Sequence, residues 1–339
     1  MRRAGEFLRE TVGRAMEDRD RLTVSQWADK YRQVVVGSKK GQWSTDSTPY
    51  LRGVMDAFSD PLVREITVMS ARQMGKTEGA LYNPLFWMID CDPRDTMIVY
   101  PTKEMAVFNN RRRFLPTLKR TPRVRRWLGK SPRDAGAMEL NFGRMMVRFV
   151  GSNSEANLES YPYPCIGIDE VDRCDPDTIP QCRESLKTFA ESKLFKASTP
   201  SYVGVGIDAE YNGTQVALDD DNGAAGEGGY VGTPPADRRK FVVPCPHCGV
   251  FHTRTFTMVR WEGGRSARPE LVKRSAWMEC PGCSQAIRAA DNMWQLHKGV
   301  WAPVRGAGAG AIVLPRPLAW DGVSGGGGGR SGPDAERAG

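Results

Sequence analysis

Between residues 43 and 200, short apolar runs alternate with polar or amphipathic stretches. Runs at Glu65–Met69, Thr96–Tyr100, Met145–Val150, Cys165–Ile168 and Lys193–Ala197 read as strands, with helical or polar segments between them. Strands alternating with helices predict an α/β sheet covered on both faces. Ahead of them, Thr23-Val-Ser-Gln-Trp-Ala-Asp-Lys-Tyr31 offers a capping residue and one apolar face. The first 36 residues are therefore expected to be helical and to dock on the core or on a partner subunit.

Between the second and third strands, Arg111, Arg112, Arg113, Lys119, Arg120, Arg123, Arg125, Arg126, Lys130 and Arg133 surround Phe114, Leu115, Leu118 and Trp127. A helix there would be basic outside and anchored inside, as a DNA-contacting surface or as a solvated face without a ligand. After residue 212 the periodicity lapses. Residues 213–236, with Asp219-Asp-Asp-Asn-Gly-Ala-Ala-Gly-Glu-Gly-Gly229, are acidic and glycine-rich and predict a mobile loop or linker. A small module follows at 237–302. The stretch 303–339, with Gly306-Ala-Gly-Ala-Gly310 and consecutive glycines at 325–329, predicts disorder. The same bias arises when a GC-rich gene is read out of frame, so a frameshifted tail is also an expectation.

Composition narrows the class. With 40% apolar and 26% charged residues the chain is ordinary for a soluble protein, and no run approaches the roughly 20 apolar residues of a membrane span. The Met1-Arg-Arg start lacks the apolar core of a secretory signal, so an intracellular protein is expected. A net charge of +8 points to an acidic partner such as nucleic acid, or to a merely basic protein.

The candidate chemistry starts where the Glu65–Met69 strand runs into Ser70-Ala-Arg-Gln-Met-Gly-Lys-Thr77. This fits the phosphate-binding pattern G-x-x-x-x-G-K-[ST], with Ser70 in place of the first glycine. In such a loop the segment Ser70, Ala71, Arg72, Gln73, Met74 and Gly75 cradles phosphates, Lys76 reaches the β- and γ-phosphates, and the Thr77 hydroxyl ligates Mg2+. A glycine turn before an ordinary helix is the plain alternative. Cys165-Ile-Gly-Ile-Asp-Glu170 counts against it, because Asp169 would hold Mg2+ and Glu170 would orient or deprotonate the attacking water. Asp172 and Asp175 are local competitors, better read as solvated or capping carboxylates. Arg72 is a candidate arginine finger acting in cis, with a loop-holding salt bridge as the alternative. Ser198-Thr199-Pro200 stands where hydroxyls can sense the γ-phosphate, and a helix N-cap is the equal structural reading. ATP hydrolysis with Mg2+ on a P-loop NTPase sheet of the RecA/ASCE-like kind is the expectation.

Of eight cysteines, four form Cys245-Pro-His-Cys248 and Cys280-Pro-Gly-Cys283. Two such knuckles specify a structural zinc ribbon, with a redox or iron–sulfur site as the alternative. A β-hairpin is expected between the knuckles, with His247 pointing outward and His252 and His297 lacking any partner pattern. The scattered Cys91, Cys165, Cys174 and Cys182 read as packing residues.

Assembled, the chain resembles the large terminase subunit of tailed bacteriophages, of the lambda-like GpA family, over roughly residues 20–302. The resemblance is carried by Trp27, Thr48-Pro-Tyr-Leu-Arg52, Ser70-Ala-Arg-Gln-Met-Gly-Lys-Thr-Glu78, Tyr100-Pro-Thr102, Arg113-Phe-Leu-Pro116, Ile168-Asp-Glu-Val-Asp-Arg173, Ser198-Thr-Pro200, Val243-Pro-Cys-Pro-His-Cys-Gly249 and Gly299-Val-Trp301. It implies an ATP-driven motor that threads double-stranded viral DNA into a procapsid in the host cytoplasm. A small terminase subunit and the portal protein are the implied partners, and a homo-oligomeric ring the implied assembly. It also implies Arg72 as the loop arginine, Glu170 as the catalytic carboxylate and Ser198-Thr199 as the coupling motif. In that family an RNase H-like nuclease domain follows the motor. No such acidic constellation can be placed in this sequence, which is read as truncated before it.

The expected organisation is an N-terminal helical segment at 1–42, a P-loop ATPase domain at 43–212, the acidic loop at 213–236, the zinc-ribbon-like module at 237–302 and the tail at 303–339. A helicase is the nearest rival enzyme, but the sequence has no room for a second motor lobe. The rival outside catalysis is a remnant that binds DNA or ATP without turnover.

Overall fold

The computed structural model describes residues 22–37, 40–153, 158, 161–212 and 236–303, together with a strand at 313–314. The expected helical start at 1–21, nearly all of the acidic loop and nearly all of the tail lie outside the described residues. The chain divides into two units. Among the described residues the first runs to Phe241 and includes the stretch from Gly299, and the second holds Val242–Lys298 and the strand Val313–Leu314.

In the first unit, Thr23 caps helix α1 (Val24–Tyr31) by accepting from the Gln26 amide, while the Gln26 side chain accepts the Thr23 N–H at 3.0 Å. The helix ends at Tyr31, and Gln33–Val34 (β1) pairs antiparallel with Gly41–Gln42 (β2), so the helical expectation through residue 36 is corrected. Three successive valines from Val34 disfavour helix, and the buried Arg32 guanidinium anchors the turn by donating to Asn83 at 3.1 Å and Glu78 at 2.8 Å. Helix α1 docks on its own chain. Its Ser25 donates to Asp56 on α2 (Leu51–Ser59) and its Trp27 indole to Asp90.

The sheet follows as β3 (Glu65–Met69), β4 (Thr96–Tyr100), β5 (Glu139–Asn141), β6 (Met146–Gly151), β7 (Cys165–Asp169) and β8 (Lys193–Ser198). Its spatial order is β3-β8-β7-β4-β6-β5, parallel except for the antiparallel edge strand β5. Strand β5 was not expected, because three residues at an edge are too short to show periodicity.

The helices cover both faces. The polypeptide leaves β3 through a π-helical stretch, Thr77–Tyr82, into α3 (Asn83–Cys91). After β4 come α4 (Lys103–Asn109), a second π-helical stretch Asn110–Phe114, α5 (Leu115–Arg120) and α6 (Pro122–Arg125). Then come α7 (Thr178–Leu186) and α8 (Gly206–Asn212). Alternation along β4 assigns the faces: Ile98 and Tyr100 pack with Phe86 and Phe114, while Met97 and Val99 pack with Ile179 and Ile207. Burial on both faces is why β4 reads as an unbroken apolar run.

The Asp90 carboxylate on α3, whose side chain is 1% exposed, accepts from the Trp27 and Trp127 indoles, each at 3.0 Å, and from Arg123 at 2.6 Å. Burial drives its carboxyl up, but these donors outweigh that and hold it below the ordinary value. A depressed carboxyl adds stability that is present above about pH 4 and lost as the pH falls through its folded value. Asp90→Ala should cost about 3–5 kcal/mol, since it removes the acceptor of two guanidiniums, Arg123 and Arg126, and two indoles. Denaturant titration checks the magnitude, and Asp90→Asn should flatten the acid limb of the stability curve.

The second unit is built of hairpins. Strand β9 (Lys240–Pro244) pairs through its end with β10 (Phe251–His252), and β11 (Val259–Arg260), β12 (Trp277–Glu279) and β13 (Ala286–Ile287) form a three-stranded sheet. Helix α9 (Pro269–Ser275) lies between β11 and β12, and α10 (Asn292–Lys298) closes the unit. After β14 (Val300–Ala302), β15 (Val313–Leu314) pairs with β10. Among the described residues no helix is long and apolar enough to cross a membrane.

Candidate functional site

Three neighbouring parallel strands, β3, β8 and β7, end together, with Met69 opposite Ser198 and Ala197 opposite Asp169. Ligands of open parallel sheets bind at such carboxyl ends. Beyond β3 the Ser70 amide donates to the Ser198 carbonyl at 3.2 Å, and Ala71, Arg72, Gln73 and Met74 are exposed. Gln73 (φ 61°) and Gly75 (φ 76°) take left-handed backbone that turns the loop back onto Thr77–Tyr82. Gly75 lies close to α2, where an added Cβ would stand 3.3 Å from Leu51 Cδ1.

The lysine and threonine that follow face the other two strands. Lys76 is buried, with Nζ donating to Thr199 Oγ1 at 2.7 Å and lying 3.9 Å from Glu170 Oε1. The Thr77 hydroxyl donates to Asp169 Oδ2 at 3.0 Å. Residues far apart in sequence thus meet in one place, because β8 lies between the strand of the loop and the strand of the carboxylates. Burial first, and the neighbouring Glu170 charge second, push the Asp169 carboxyl up to about 6, against the pull of Thr77, Arg113 and Lys76. Thr77 and Asp169 present hard oxygen donors of the kind Mg2+ takes. Glu170 also has left-handed backbone (φ 56°, ψ 48°) and donates its amide to the Ala197 carbonyl at 2.9 Å.

Arg72 lines a cavity of about 340 Å³ together with Glu170, Asp172, Arg173, Thr199 and Tyr202, and it makes no ion pair among the described residues. The salt-bridge alternative for Arg72 therefore finds no partner there. Ser198 and Thr199 part company. The buried Ser198 hydroxyl accepts the Asp172 amide at 3.3 Å, whereas Thr199 meets the lysine. Neither caps a helix. The carboxylate at the start of α8 is that of Asp172, which accepts from the Ile207 amide at 2.9 Å, and Asp175 accepts from the Asp177 amide just before α7.

Sequence reasoning gave no role to Tyr50 or Glu78 and placed Arg113 only in the basic stretch, yet all three touch the loop or the helix behind it. The Tyr50 hydroxyl donates to the Met74 carbonyl at 3.2 Å. Glu78, directly after Thr77, accepts from both Arg32 and Arg113. All three fall inside the motifs that carry the resemblance, which was the available signal.

The basic stretch is split by the fold. Arg113 and Arg123 are bound internally to Glu78 and Asp90, and the Arg126 guanidinium lies over the Trp127 ring. Arg111, Arg112, Lys119 and Arg120 are exposed and form no ion pair among the described residues.

In the second unit, Cys245, Cys248, Cys280 and Cys283 bring their sulfurs within 4.8 Å of one another. The β9–β10 and β12–β13 hairpins each turn on one knuckle, and between the knuckles β11 and β12 pair antiparallel across α9, as the expected hairpin. The turns match. Gly249 (φ 72°) and Ser284 (φ 58°) hold equivalent left-handed positions, and the amides of His247 and Gly282 donate to Cys245 and Cys280 sulfur at 3.4 and 3.3 Å. Sulfur separations of 3.7 and 3.9 Å equal the edge of about 3.8 Å that a tetrahedron with Zn–S bonds of about 2.3 Å requires. His247 is exposed and its Nε2 lies 3.0 Å from the Ala286 carbonyl. His252 is buried, with Nε2 unpaired among the described residues.

Several known proteins are similar to this chain. The terminase large subunit of Enterobacteria phage P21 is 24% identical over 241 residues, covering 67% of this chain and 34% of the relative. The corresponding subunit of Escherichia phage lambda is 27% identical over 235 residues, with the same coverage of 67% and 34%. The chain thus spans about a third of the length of these curated relatives. The solved large terminase of bacteriophage HK97 overlaps 56% of this chain and 39% of its own at 13% identity and a TM-score of 0.46. The family described as "Phage terminase large subunit gpA, ATPase domain" matches residues 37–301, which take in the loop at Lys76, the carboxylates at Asp169 and Glu170, and the four-cysteine cluster. With more than half of its length matched, the chain belongs to the phage terminase large subunit gpA family, in the ATPase domain.

Proposed function

We propose that this chain is the P-loop ATPase motor of a terminase large subunit, which moves double-stranded viral DNA into a procapsid in the host cytoplasm. Its partners are the small terminase subunit, the portal protein and further copies of itself in a ring. The convergence of Lys76, Thr77, Asp169, Glu170 and Thr199 at three adjacent strand ends carries this reading.

In it, the amides of Ser70–Gly75 and the Lys76 ammonium hold the nucleotide phosphates. Thr77 and Asp169 hold Mg2+, which when bound neutralises phosphate charge. Glu170 takes a proton from the attacking water, Arg72 swings from the cavity wall to the γ-phosphate, and Thr199 passes loss of that phosphate to β8. Because a protonated Asp169 is a poor ligand, Mg2+·ATP affinity falls as the pH drops through about 6. The exposed Arg111, Arg112, Lys119 and Arg120 contact duplex phosphates. Cys245, Cys248, Cys280 and Cys283 hold a structural Zn2+ with no open position, so the metal folds the module and takes no part in hydrolysis. No DNA-cleavage role is proposed for these residues.

Phosphate release by purified protein, with and without duplex DNA, tests the motor beside Lys76→Ala. Hydrolysis by the parent and background release by the variant are expected. Equal release by the two would leave no case for this site, and a parent that binds ATP without releasing phosphate would favour the binding-only remnant.

A further inference from the structure

Asp172 stands two positions after Glu170 and belongs to none of the roles above. The turn Val171–Arg173 begins at Glu170, whose left-handed backbone a side chain adopts only when its surroundings enforce it. The Asp172 amide donates to Ser198 Oγ at 3.3 Å, and its carboxylate accepts from two further amides, Ser201 at 2.5 Å and Ile207 at 2.9 Å. Gly206 packs so closely against it that an added Cβ would lie 2.7 Å from Asp172 Oδ1. One carboxylate therefore pins both ends of the loop from Ser201 to Ile207. The loop's middle presents Tyr202, Val203 and Val205 to solvent at 75%, 93% and 53% exposure. The same strand end carries Thr199, the acceptor of the Lys76 ammonium.

We infer that Asp172 is a positioning residue for hydrolysis: by bonding the Ser201 and Ile207 amides it fixes Glu170 and Thr199 in register across the cavity and ties that register to the exposed Tyr202–Val205 loop. This rests on the proposed ATPase reading. The carboxylate borders the cavity, but both of its oxygens are engaged by the Ser201 and Ile207 amides, so it acts through the geometry of Glu170 and Thr199. An ordinary helix cap would hold only the Ile207 amide. Here the second oxygen reaches back to Ser201, next to the phosphate side of the cavity.

The test is Asp172→Asn, which keeps shape and one acceptor but sets an amide donor against a backbone N–H. A second variant, Ser201→Pro, sits on the surface and removes the amide donor, while its ring fixes φ and stands where the N–H met the carboxylate. For both, kcat is expected to fall roughly 10–100-fold, the scale of a misplaced reacting group. Affinity for a non-hydrolysable ATP analogue should stay within about twofold, the signature of a lost transition-state interaction, and the thermal midpoint should barely move. Parent-level kcat in both variants overturns the inference, as does a loss of kcat matched by lost analogue binding and a lowered midpoint. Lys76→Ala, run alongside, separates the two readings. If it hydrolyses like the parent, the nucleotide site itself is wrong. If it is inert while Asp172→Asn and Ser201→Pro match the parent, only the role of Asp172 falls.

Discussion

Glu170→Gln is expected to slow ATP hydrolysis by about 10²–10⁴-fold, the usual weight of a general base, while leaving ATP binding near the parent level. The amide matches the carboxylate in size, and the left-handed backbone of residue 170 is held by the Ala197 carbonyl, so the cavity keeps its shape. Lys76 keeps its bond to Thr199 and with it the means to bind phosphate. What is lost is the acceptor for the water proton. A second consequence gives the assignment an independent check. The Glu170 charge is the second cause, after burial, that holds Asp169 up to about 6, so removing it should shift the acid limb of nucleotide binding to lower pH. Stopped-flow phosphate release and a pH series of Mg2+·ATP affinity read both effects. A variant that turns over like the parent would remove Glu170 from the chemistry.

Stripping zinc is expected to unfold the second unit while the first keeps its sheet. The module's core around the cysteines is small, with Ile287 and the partly buried Met278 beside the sulfurs. Structural zinc supplies apparent folding energy of order 10–16 kcal/mol in small zinc peptides, well above what such a core can contribute. Without metal, burial pushes the Cys245 thiol above its ordinary value, so loading must displace its proton. Affinity should therefore fall as the pH is lowered. Metal analysis should give one zinc per chain, and hydrogen exchange should show protection at 242–298 lost on chelation. Full protection after complete metal removal would mean that the four thiols are held by packing alone.

The sequence made some of these features legible and concealed others for physical reasons. Parallel strands buried on both faces are largely apolar, so β4 and β7 were visible within a residue or so at each end, and the short apolar runs of the partly buried β3 and β6 were enough to place those strands as closely. Strand β8 was visible for the wrong reason, since its Lys193 and Lys196 are buried. Lys193 reaches the carbonyls of Asp60 and Val63, and Lys196 pairs with Glu65 and Glu210. Periodicity cannot announce such pairings, because the partners come from other segments. The basic stretch shows the same blindness: nothing local distinguishes Arg113, held by Glu78, from Arg112, which faces solvent.

Local chemistry, then, was written in the chain: a glycine turn before Lys76, two carboxylates at the end of an apolar run, and cysteines spaced to grip one ion. Short-range sterics and donor type fix such motifs wherever they occur. Strand order was decided only by the tertiary structure, which sets β8 between β3 and β7 and so delivers Thr199 to Lys76 and Asp169 to Thr77. Contacts between strands distant in sequence depend on how helices of particular lengths and faces pack over the sheet, and no window of residues carries that information.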